Sequence, residues 1–393
     1  MALFSRKLAG DECGVVVDIG SGSVGVAIVV SRNIEEKLEV VWNYREHVII
    51  RDKIEMQESL RDITTALVNA MLELSSNGLK KLNEFDKTLR VSVIQTAICA
   101  PWAYTVTKTI NYEDEHPFQV DQEMIKTLIE TAKKQTMETT VDGKIFQELG
   151  LRMITEDTLN IQVNGYTIKN TMGQQGRTLT LSHISAVARE KLLSALEESL
   201  EKIFPRAQKE YYSFMYLYYR TLDSLHPDTS EICTIDITNE ATEIGIIRDN
   251  ILKHTSHIPF GMYSLAREIA LICSIPKEEA YSYIKNKRDI AEGGFSKAKL
   301  EEVQVVFQKY EEKVAALFNE TGDALSIPKT LFLHCSQETE EFFKERMLNA
   351  AKKATSTSHT VHTFTSELLN GVTMEDTALA MSAFTFHMRE RFE

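Results

Sequence analysis

The sequence has few of the residues that mark secreted, metal-binding or nucleic-acid-binding proteins. It has 5 cysteines in 393 residues. None has a Cys-x-x-Cys spacing, so a disulfide scaffold or a structural zinc site is not expected. Most of the cysteines fall in apolar, strand-like segments, which predicts buried free thiols in a reducing compartment. Lysine and arginine number 44 against 57 acidic residues, and the net charge of −13 disfavours nucleic-acid binding.

Long apolar runs are also missing. No stretch approaches the 18 or more apolar residues of a membrane helix, so no membrane span is expected. The segment MALFSRKLAG is charged but is not followed by an apolar region, and we do not expect a secretory signal. A hydrophobic fraction of 43% and a charged fraction of 26% are typical of globular proteins. A chain of 393 residues predicts two or more subdomains.

One pattern occurs twice along the chain. The segment VVVDIGSGSVGVAIVV at 15–30 predicts two strands around a small polar turn, and a third strand and a helix follow. The same order begins again with EICTIDITNEATEIGIIRDNILKHTSHIPFG at 231. Each copy carries an aspartate, Asp18 or Asp236, at the end of its first strand. The repeat predicts an internally duplicated α/β protein.

The first turn has the residues of a phosphate cradle. Gly20 and Gly22 carry no side chains, so backbone N–H groups can approach an anion closely. Ser21 and Ser23 add hydroxyl donors. Asp18 would be costly to bury unpaired, and a hydrated Mg²⁺ would compensate its charge. A glycine-rich hairpin with a capping aspartate explains the same residues, and both readings stay open for this motif alone.

The second hairpin favours the phosphate reading. Asp236 ends its first strand, and Thr238 opens the turn. Two aspartates at the heads of two related halves can face one metal–phosphate group across a cleft. This is the arrangement of the actin, Hsp70 and sugar-kinase ATPase fold.

The order of motifs resembles the bacterial actin homologues FtsA and PilM. LFSRK followed by VVVDIGSGSVGVAIV is similar to a PilM opening, and DITNEATEIGIIRDNILKHTSHIPFGMYSLAREIA is similar to the second phosphate segment. NGYTIKNTMGQQGRTLTLSHISAV resembles the end of the inserted subdomain. The resemblance implies a duplicated actin-like (ribonuclease H-like) α/β ATPase fold with an FtsA-type insertion. The expected segments are 1–100 for the first subdomain, 101–186 for the insertion and 187–393 for the second half.

The resemblance also implies a site for ATP and Mg²⁺. Asp18 and Asp236 would face the metal, and the nucleotide-binding residues would be Asp18, Gly20, Ser21, Gly22, Ser23, Asp236, Thr238, Gly261 and Ser336.

Three features depart from the family pattern. The second turn has Thr238, Asn239, Glu240 and Ala241 where glycines are usual, and the late strand runs into LFLHCSQET rather than a glycine-rich turn. Glu210 is the only nearby candidate for the catalytic carboxylate. We therefore assign no catalytic residue and expect weak or absent ATP hydrolysis.

The expected function is that of an actin-like cytoplasmic scaffold at the inner face of the cell membrane, as in type IV pilus assembly. Its partner would be the cytoplasmic segment of an inner-membrane protein, captured in a groove near the insertion, and self-association is a further possibility. An FtsA-like division protein that polymerises and links a tubulin-like ring to the membrane is the alternative. No polar linker and amphipathic anchor are visible, which favours the PilM type. A sugar or acetate kinase would need the phosphate and adenosine loops intact.

Two apolar segments and two histidine pairs lie outside the motifs described so far. KEYYSFMYLYYRTL at 209–222 predicts a core-facing helix, and TALAMSAFTFHMRER predicts either a last core helix or an amphipathic membrane helix. The pairs His254/His257 and His359/His362 have no further ligands at metal-site spacing, and we expect no metal there.

Overall fold

A computed structural model describes residues 12–32, 36–52, 55–139, 150–168, 170–285, 293–320, 327–369 and 371–389. The strands are β1 Glu12–Ile19, β2 Ser23–Ser31, β3 Glu39–His47, β4 Val91–Ile98, β5 Ala103–Gln119, β6 Leu151–Val163, β7 Tyr166–Thr167, β8 Gln175–Arg189, β9 Gln208–Ser213, β10 Glu231–Ile237, β11 Thr242–Arg248, β12 Ile251–Ile258, β13 Thr330–His334 and β14 Thr360–Thr363. The helices are α1 Met56–Glu73, α2 Leu79–Phe85, α3 Gln122–Thr139, α4 Glu190–Ile203, α5 Phe214–Leu225, α6 Met262–Cys273, α7 Lys277–Lys285, α8 Lys297–Asn319, α9 Glu340–Thr355 and α10 Thr377–Met388.

The duplication read from the sequence is confirmed by the strand order. The first sheet runs β3-β2-β1-β4-β9 and the second runs β12-β11-β10-β13-β14. In both sheets the first three strands are antiparallel, and the remaining neighbours are parallel. β1, β2, β10 and β11 are almost entirely buried because helices cover both faces of each sheet.

The insertion forms a separate antiparallel sheet, in the order β5-β8-β6-β7, with α3 packed on it. Its tight turn at Asn164 and Gly165 is left-handed at both positions, as the Asn-Gly pair predicts. The predicted segment boundaries remain predictions, but strand pairing places β9, inside the segment 187–393, in the first sheet.

One predicted helix is partly a strand. Residues 208–213 form β9, which pairs in parallel with β4, and α5 begins only at Phe214. Aromatic residues suit strands as well as helices, and here the tertiary pairing decides. The helical part is a core helix as predicted, because Phe214, Tyr218 and Leu222 are completely buried.

The interior between the two large sheets is filled by α5 and α10. In α10 every residue from Leu379 to Met388 is buried, and the helix packs against β1. The reading as a last core helix is therefore confirmed. All five cysteines are buried and free. Within the part of the chain that the structure describes, no helix combines the length and the apolar character needed to cross a bilayer.

Candidate functional site

The heads of the two hairpins meet in a cleft between the two large sheets. The cleft encloses about 250 Å³. Of the residues predicted to bind nucleotide, those lining it are Asp18, Gly20, Ser23, Asp236, Thr238 and Ser336. Ser21, Gly22 and Gly261 are not among its lining residues. Six of the nine predicted nucleotide-binding residues thus lie at one cleft, and their role there stays a prediction.

The two hairpin turns contact each other directly. The Ser21 hydroxyl donates to Thr238 Oγ1 at 2.8 Å and accepts the backbone N–H of Glu240 at 2.8 Å. Gly22 lies so close to Asn239 that an added Cβ would be 2.6 Å from its side chain. Gly20 N–H is also engaged, because it donates to the Ser23 carbonyl at 2.9 Å. The space in which two phosphate turns would hold a phosphate is thus occupied by the turns themselves.

Gly261 serves the second hairpin rather than a ligand. A Cβ at this position would lie 2.4 Å from the Thr238 carbonyl oxygen, so only glycine permits this approach. The next two residues open α6, and their N–H groups donate to the carbonyls of Thr238 and Asn239 at 3.2 and 2.7 Å. The amino end of α6 is therefore used by the hairpin.

The acidic residue of the second turn is neutralised within the chain. Arg267 on α6 donates to both carboxylate oxygens of Glu240, at 2.8 and 2.6 Å, and Ser264 donates at 3.2 Å. The pair is largely buried, which makes it a bidentate clamp between the turn and the helix. Glu240, which stands where a glycine is usual in the family, therefore holds the second turn in place.

A guanidinium group lies where the metal was expected. Arg45 of β3 reaches Asp18 Oδ2 at 2.7 Å with Nη2, and it reaches Asp376 at 2.5 Å with Nε. Nη1 donates to the Ser23 hydroxyl at 2.8 Å. Asp18 is only 2% exposed, so its charge is compensated inside the protein by this cation. Because Asp376 precedes α10, the same cluster ties the carboxyl-terminal helix to the first hairpin.

Gly25 makes this contact possible. Strand register places Gly25 between Asp18 on β1 and Arg45 on β3. A Cβ on Gly25 would be 2.6 Å from Arg45 Nη2 and 3.0 Å from Leu379 Cγ. The missing side chain therefore opens a path across β2 for the guanidinium, as glycines in strand interiors often do for a closely approaching group.

The pKa shifts in the cleft follow from burial and from Arg45. Burial raises the pKa of Asp18, and the charge of Arg45 offsets part of that rise. Burial would also raise the pKa of Asp376, but the charge and hydrogen bond of Arg45 outweigh it and leave the pKa below its usual value. Burial, followed by the positive charge of Arg45, lowers the pKa of His47.

A second set of side chains crosses the cleft at the end of β13. His334 contacts Asp236 Oδ1 with Nδ1 at 2.7 Å and Thr377 Oγ1 with Nε2 at 3.0 Å. The other Asp236 oxygen, Oδ2, is buried without a hydrogen-bond partner. The second hairpin and the start of α10 are thereby linked through one imidazole.

These residues do not fit a magnesium–nucleotide group in the arrangement they adopt here. The cation beside Asp18 is Arg45, and the two turns fill the space between them. The cleft volume lies below the roughly 300–1,000 Å³ of pockets that hold drug-sized ligands. Among the described residues, no group of three His, Cys, Asp or Glu side chains is placed to hold a metal ion. The metal-binding roles assigned to Asp18 and Asp236 thus have no geometric support in this arrangement.

A substitution at Gly25 tests whether the missing side chain at this position is needed for Arg45 to reach Asp18. We expect Gly25→Ala to displace the Arg45 guanidinium and to lower the free energy of unfolding by about 3 kcal/mol, because overpacking and loss of a buried ion pair act together. Gly20→Ala is the matched control, since its Cβ would meet nothing closer than 3.4 Å. Urea unfolding measures both variants, and equal losses of stability would contradict the assignment.

Sequence reasoning missed Arg45, Arg267, His334, Thr377 and Asp376 as members of this site. The available signal was a glycine inside the apolar strand β2, next to a strand, β3, that carries a single arginine. This signal can be used only when the register of β2 with its neighbours β1 and β3 is known. Local sequence patterns do not predict that register.

No protein-family model and no curated protein matches the chain. Among solved structures, it is similar to the PilM-PilN type IV pilus biogenesis complex, at 11% identity and a TM-score of 0.59, over 95% of this chain and 98% of that chain. Weaker similarity, with a TM-score of 0.45 and 13% identity, links it to the ethanolamine utilization protein EutJ from Carboxydothermus hydrogenoformans, over 95% of this chain and 89% of that one. A Bacteroides thetaiotaomicron protein with an actin-like ATPase fold gives a TM-score of 0.38 at 10% identity, over 97% and 98% of the two chains.

The first of these similarities extends over nearly the whole chain, and the chain itself contains two five-stranded sheets of matching strand order. The protein therefore has the duplicated actin-like α/β fold.

Proposed function

We propose that this protein is an actin-like scaffold of a membrane-associated machine, of the kind that assembles type IV pili, with weak or absent ATP hydrolysis. It would lie at the inner face of the cell membrane and bind the cytoplasmic segment of an inner-membrane protein. The observation that carries the proposal is the Arg45 cluster, in which a side chain of the protein takes the place beside Asp18 where a metal was expected. A fold whose two hairpins are held in place by its own side chains is suited to a constant binding surface rather than to turnover.

A groove between the inserted sheet and the first sheet supports the partner assignment. It encloses about 630 Å³ and is lined by β6, β9 and α5. Tyr211 and Tyr212 of β9 contribute to its wall with Tyr216 of α5, and the rings of Tyr212 and Tyr216 stack at 5.9 Å. Aromatic side chains of this kind supply large apolar contact area to a bound segment.

The groove carries charged residues of both signs, and most of them are paired within the chain. Arg220 lies 3.8 Å from Asp157, and Lys133 pairs with Glu156 at 3.0 Å. The preference for a basic segment therefore comes from the protein as a whole, whose net charge is −13. Positively charged residues are common on the cytoplasmic side of membrane helices, so a segment next to such a helix would be attracted to this chain.

The test is binding to an array of cytoplasmic segments from the single-span inner-membrane proteins of the source organism, with and without Mg–ATP. We expect a pilus-type segment to bind equally under both conditions, because the contacts that hold the two hairpins together do not depend on nucleotide. Tyr212→Ala, in the groove, should weaken binding at least about tenfold, as removal of an aromatic anchor does. Tyr166→Ala is the matched control, since Tyr166 is 75% exposed on the insertion and does not line the groove.

Two outcomes would contradict the proposal. Binding that requires Mg–ATP would mean that the cleft opens to nucleotide, and equal binding by both tyrosine variants would exclude the groove. Concentration-dependent sedimentation of the chain alone would instead favour the FtsA-like alternative.

A further inference from the structure

Three side chains that line the cleft form an acid–base–hydroxyl chain. Asp236 is the penultimate residue of β10, His334 is the last residue of β13, and Thr377 is the first residue of α10. The separations are 2.7 Å from Asp236 Oδ1 to His334 Nδ1 and 3.0 Å from His334 Nε2 to Thr377 Oγ1. All three residues line the cleft, so the chain ends at a hydroxyl that a small molecule can reach.

One of the two imidazole tautomers gives the chain a direction. In that tautomer Nδ1–H of His334 donates to the Asp236 carboxylate, Nε2 accepts, and the Thr377 hydroxyl donates to Nε2. This is the order in which a carboxylate orients a histidine and the histidine withdraws a proton from a nucleophilic hydroxyl.

The imidazole is held rigidly in this orientation. Its ring packs against Phe214 at 5.0 Å, Tyr218 at 6.1 Å and Phe364 at 6.4 Å between ring centroids. Asp236 is 1% exposed, and its second oxygen has no hydrogen-bond partner. A buried carboxylate that is not satisfied elsewhere stabilises positive charge on the adjacent ring, which is what a general base needs.

The start of α10 offers donors beside the hydroxyl. Asp376 caps the helix by accepting the N–H of Leu379 at 3.0 Å. The N–H groups of the first turn, at Thr377 and Ala378, have no partner within the helix, and Ala378 also lines the cleft. Helix amino ends stabilise negative charge, so an oxyanion that forms next to Thr377 Oγ1 lies in a favourable field.

The cleft restricts what could react there. It encloses about 250 Å³, and Asp18, Glu375 and Asp376 line it together with Arg45. The guanidinium is already bound to two of these carboxylates, so the remaining charge disfavours anionic substrates. A small ester that is uncharged or cationic satisfies both limits.

We propose that Thr377 is a nucleophile for acyl transfer from such esters, with His334 as general base and Asp236 as the residue that orients it. Oγ1 of Thr377 attacks the ester carbonyl carbon and forms a new C–O bond, while its proton passes to His334 Nε2. The ester C–O bond then breaks, and the leaving alcohol takes that proton. Water removes the acyl group from Thr377 by the same route, which returns the hydroxyl and releases a carboxylic acid.

The test uses the full chain with p-nitrophenyl acetate, an uncharged ester. We expect release of nitrophenolate above the buffer rate and an acetyl group on Thr377, located by peptide mass spectrometry. Thr377→Ser should retain the activity, Thr377→Val should reduce release to the buffer rate, and Asp236→Asn should lower it at least about tenfold. The anionic ester 4-acetoxybenzoate should react more slowly than the uncharged one.

Thr373→Val is the matched control, because Thr373 is exposed, precedes α10 by a few residues and does not line the cleft. A purely structural link would give a lower melting temperature in Thr377→Val with unchanged nitrophenolate release, and that result would overturn the proposal. Acetylation only at lysine side chains, or no release above the buffer rate by the wild-type chain, would overturn it as well.

Discussion

Replacing Arg45 by leucine is expected to lower the free energy of unfolding by about 3–5 kcal/mol, the usual cost of removing one partner from a buried ion pair. Asp18 would be left 2% exposed without its cation, and Asp376 would lose both of its contacts with the guanidinium. Because whole domains are stable by only about 5–15 kcal/mol, this single change should be visible as a large shift in the urea midpoint.

The matched control is Arg51→Leu. Arg51 is half exposed and pairs with Asp62 at the surface, where an ion pair contributes little, so its removal should shift the urea midpoint far less than removal of Arg45. Adding Asp18→Asn and Asp376→Asn to Arg45→Leu should recover part of the lost stability, because no uncompensated charge then stays buried. If Arg45→Leu and Arg51→Leu shift the urea midpoint equally, the buried ion pairs of Arg45 do not stabilise the fold more than a surface ion pair does, which would contradict this prediction.

Replacing Glu243 by glutamine is expected to stabilise the protein at neutral and alkaline pH. Glu243 is 4% exposed on β11 and lies opposite Asp236 on β10. Burial raises the pKa of Glu243 well above its usual value, and the charge of Asp236 raises it further. Glutamine has nearly the same shape and needs no proton to stay neutral.

The sign follows from proton binding. The folded state keeps a proton on Glu243 that the unfolded state releases above an ordinary pKa of about 4.3. Stability from this group is therefore complete below that pH and declines, by up to about 1.4 kcal/mol per pH unit, until the raised pKa of the folded state is reached. Glu243→Gln removes this decline.

Urea unfolding of both proteins between pH 4 and pH 8 measures the effect. At the acid end both side chains are neutral and the two stabilities should converge, which provides an internal control. Parallel curves across the whole range would show that Glu243 is ionised in the folded protein.

The sequence predicts those parts of the fold that depend on residues close to each other along the chain. The two strand–aspartate–turn–strand segments can be recognised from neighbouring residues alone. Their repetition, and the similarity of the motif order to that of FtsA and PilM, led to the prediction of a duplicated fold. The sequence predicts a helix for β9 because the aromatic residues Tyr211 and Tyr212 continue directly into the aromatic residues of α5. Only the pairing of β9 with β4 shows that these two tyrosines belong to a strand.

The sequence predicted that the two aspartates lie near each other, but not which side chains surround them. Asp18 and Asp236 do lie at one cleft, since matching strands bring their ends together. What occupies the cleft depends on Arg45 crossing a neighbouring strand at Gly25 and on Asp376, more than 300 residues away along the chain, meeting it there. These contacts depend on strand register and on the packing of segments that are far apart along the chain. The periodicity of the sequence therefore does not predict them.

The position of α10 has a consequence for how this protein is made. Its Phe386 ring fills the space above Gly14 of β1, where a Cβ would be 2.3 Å from the ring. The ribosome adds about 5–20 residues per second, so β1 emerges tens of seconds before the helix that covers it. During that interval the part of the inner face of the first sheet that α10 covers stays exposed, since α5 alone packs on that face. We therefore expect nascent chains stopped before Thr377 to aggregate or to recruit chaperones, even though they contain every strand of both large sheets.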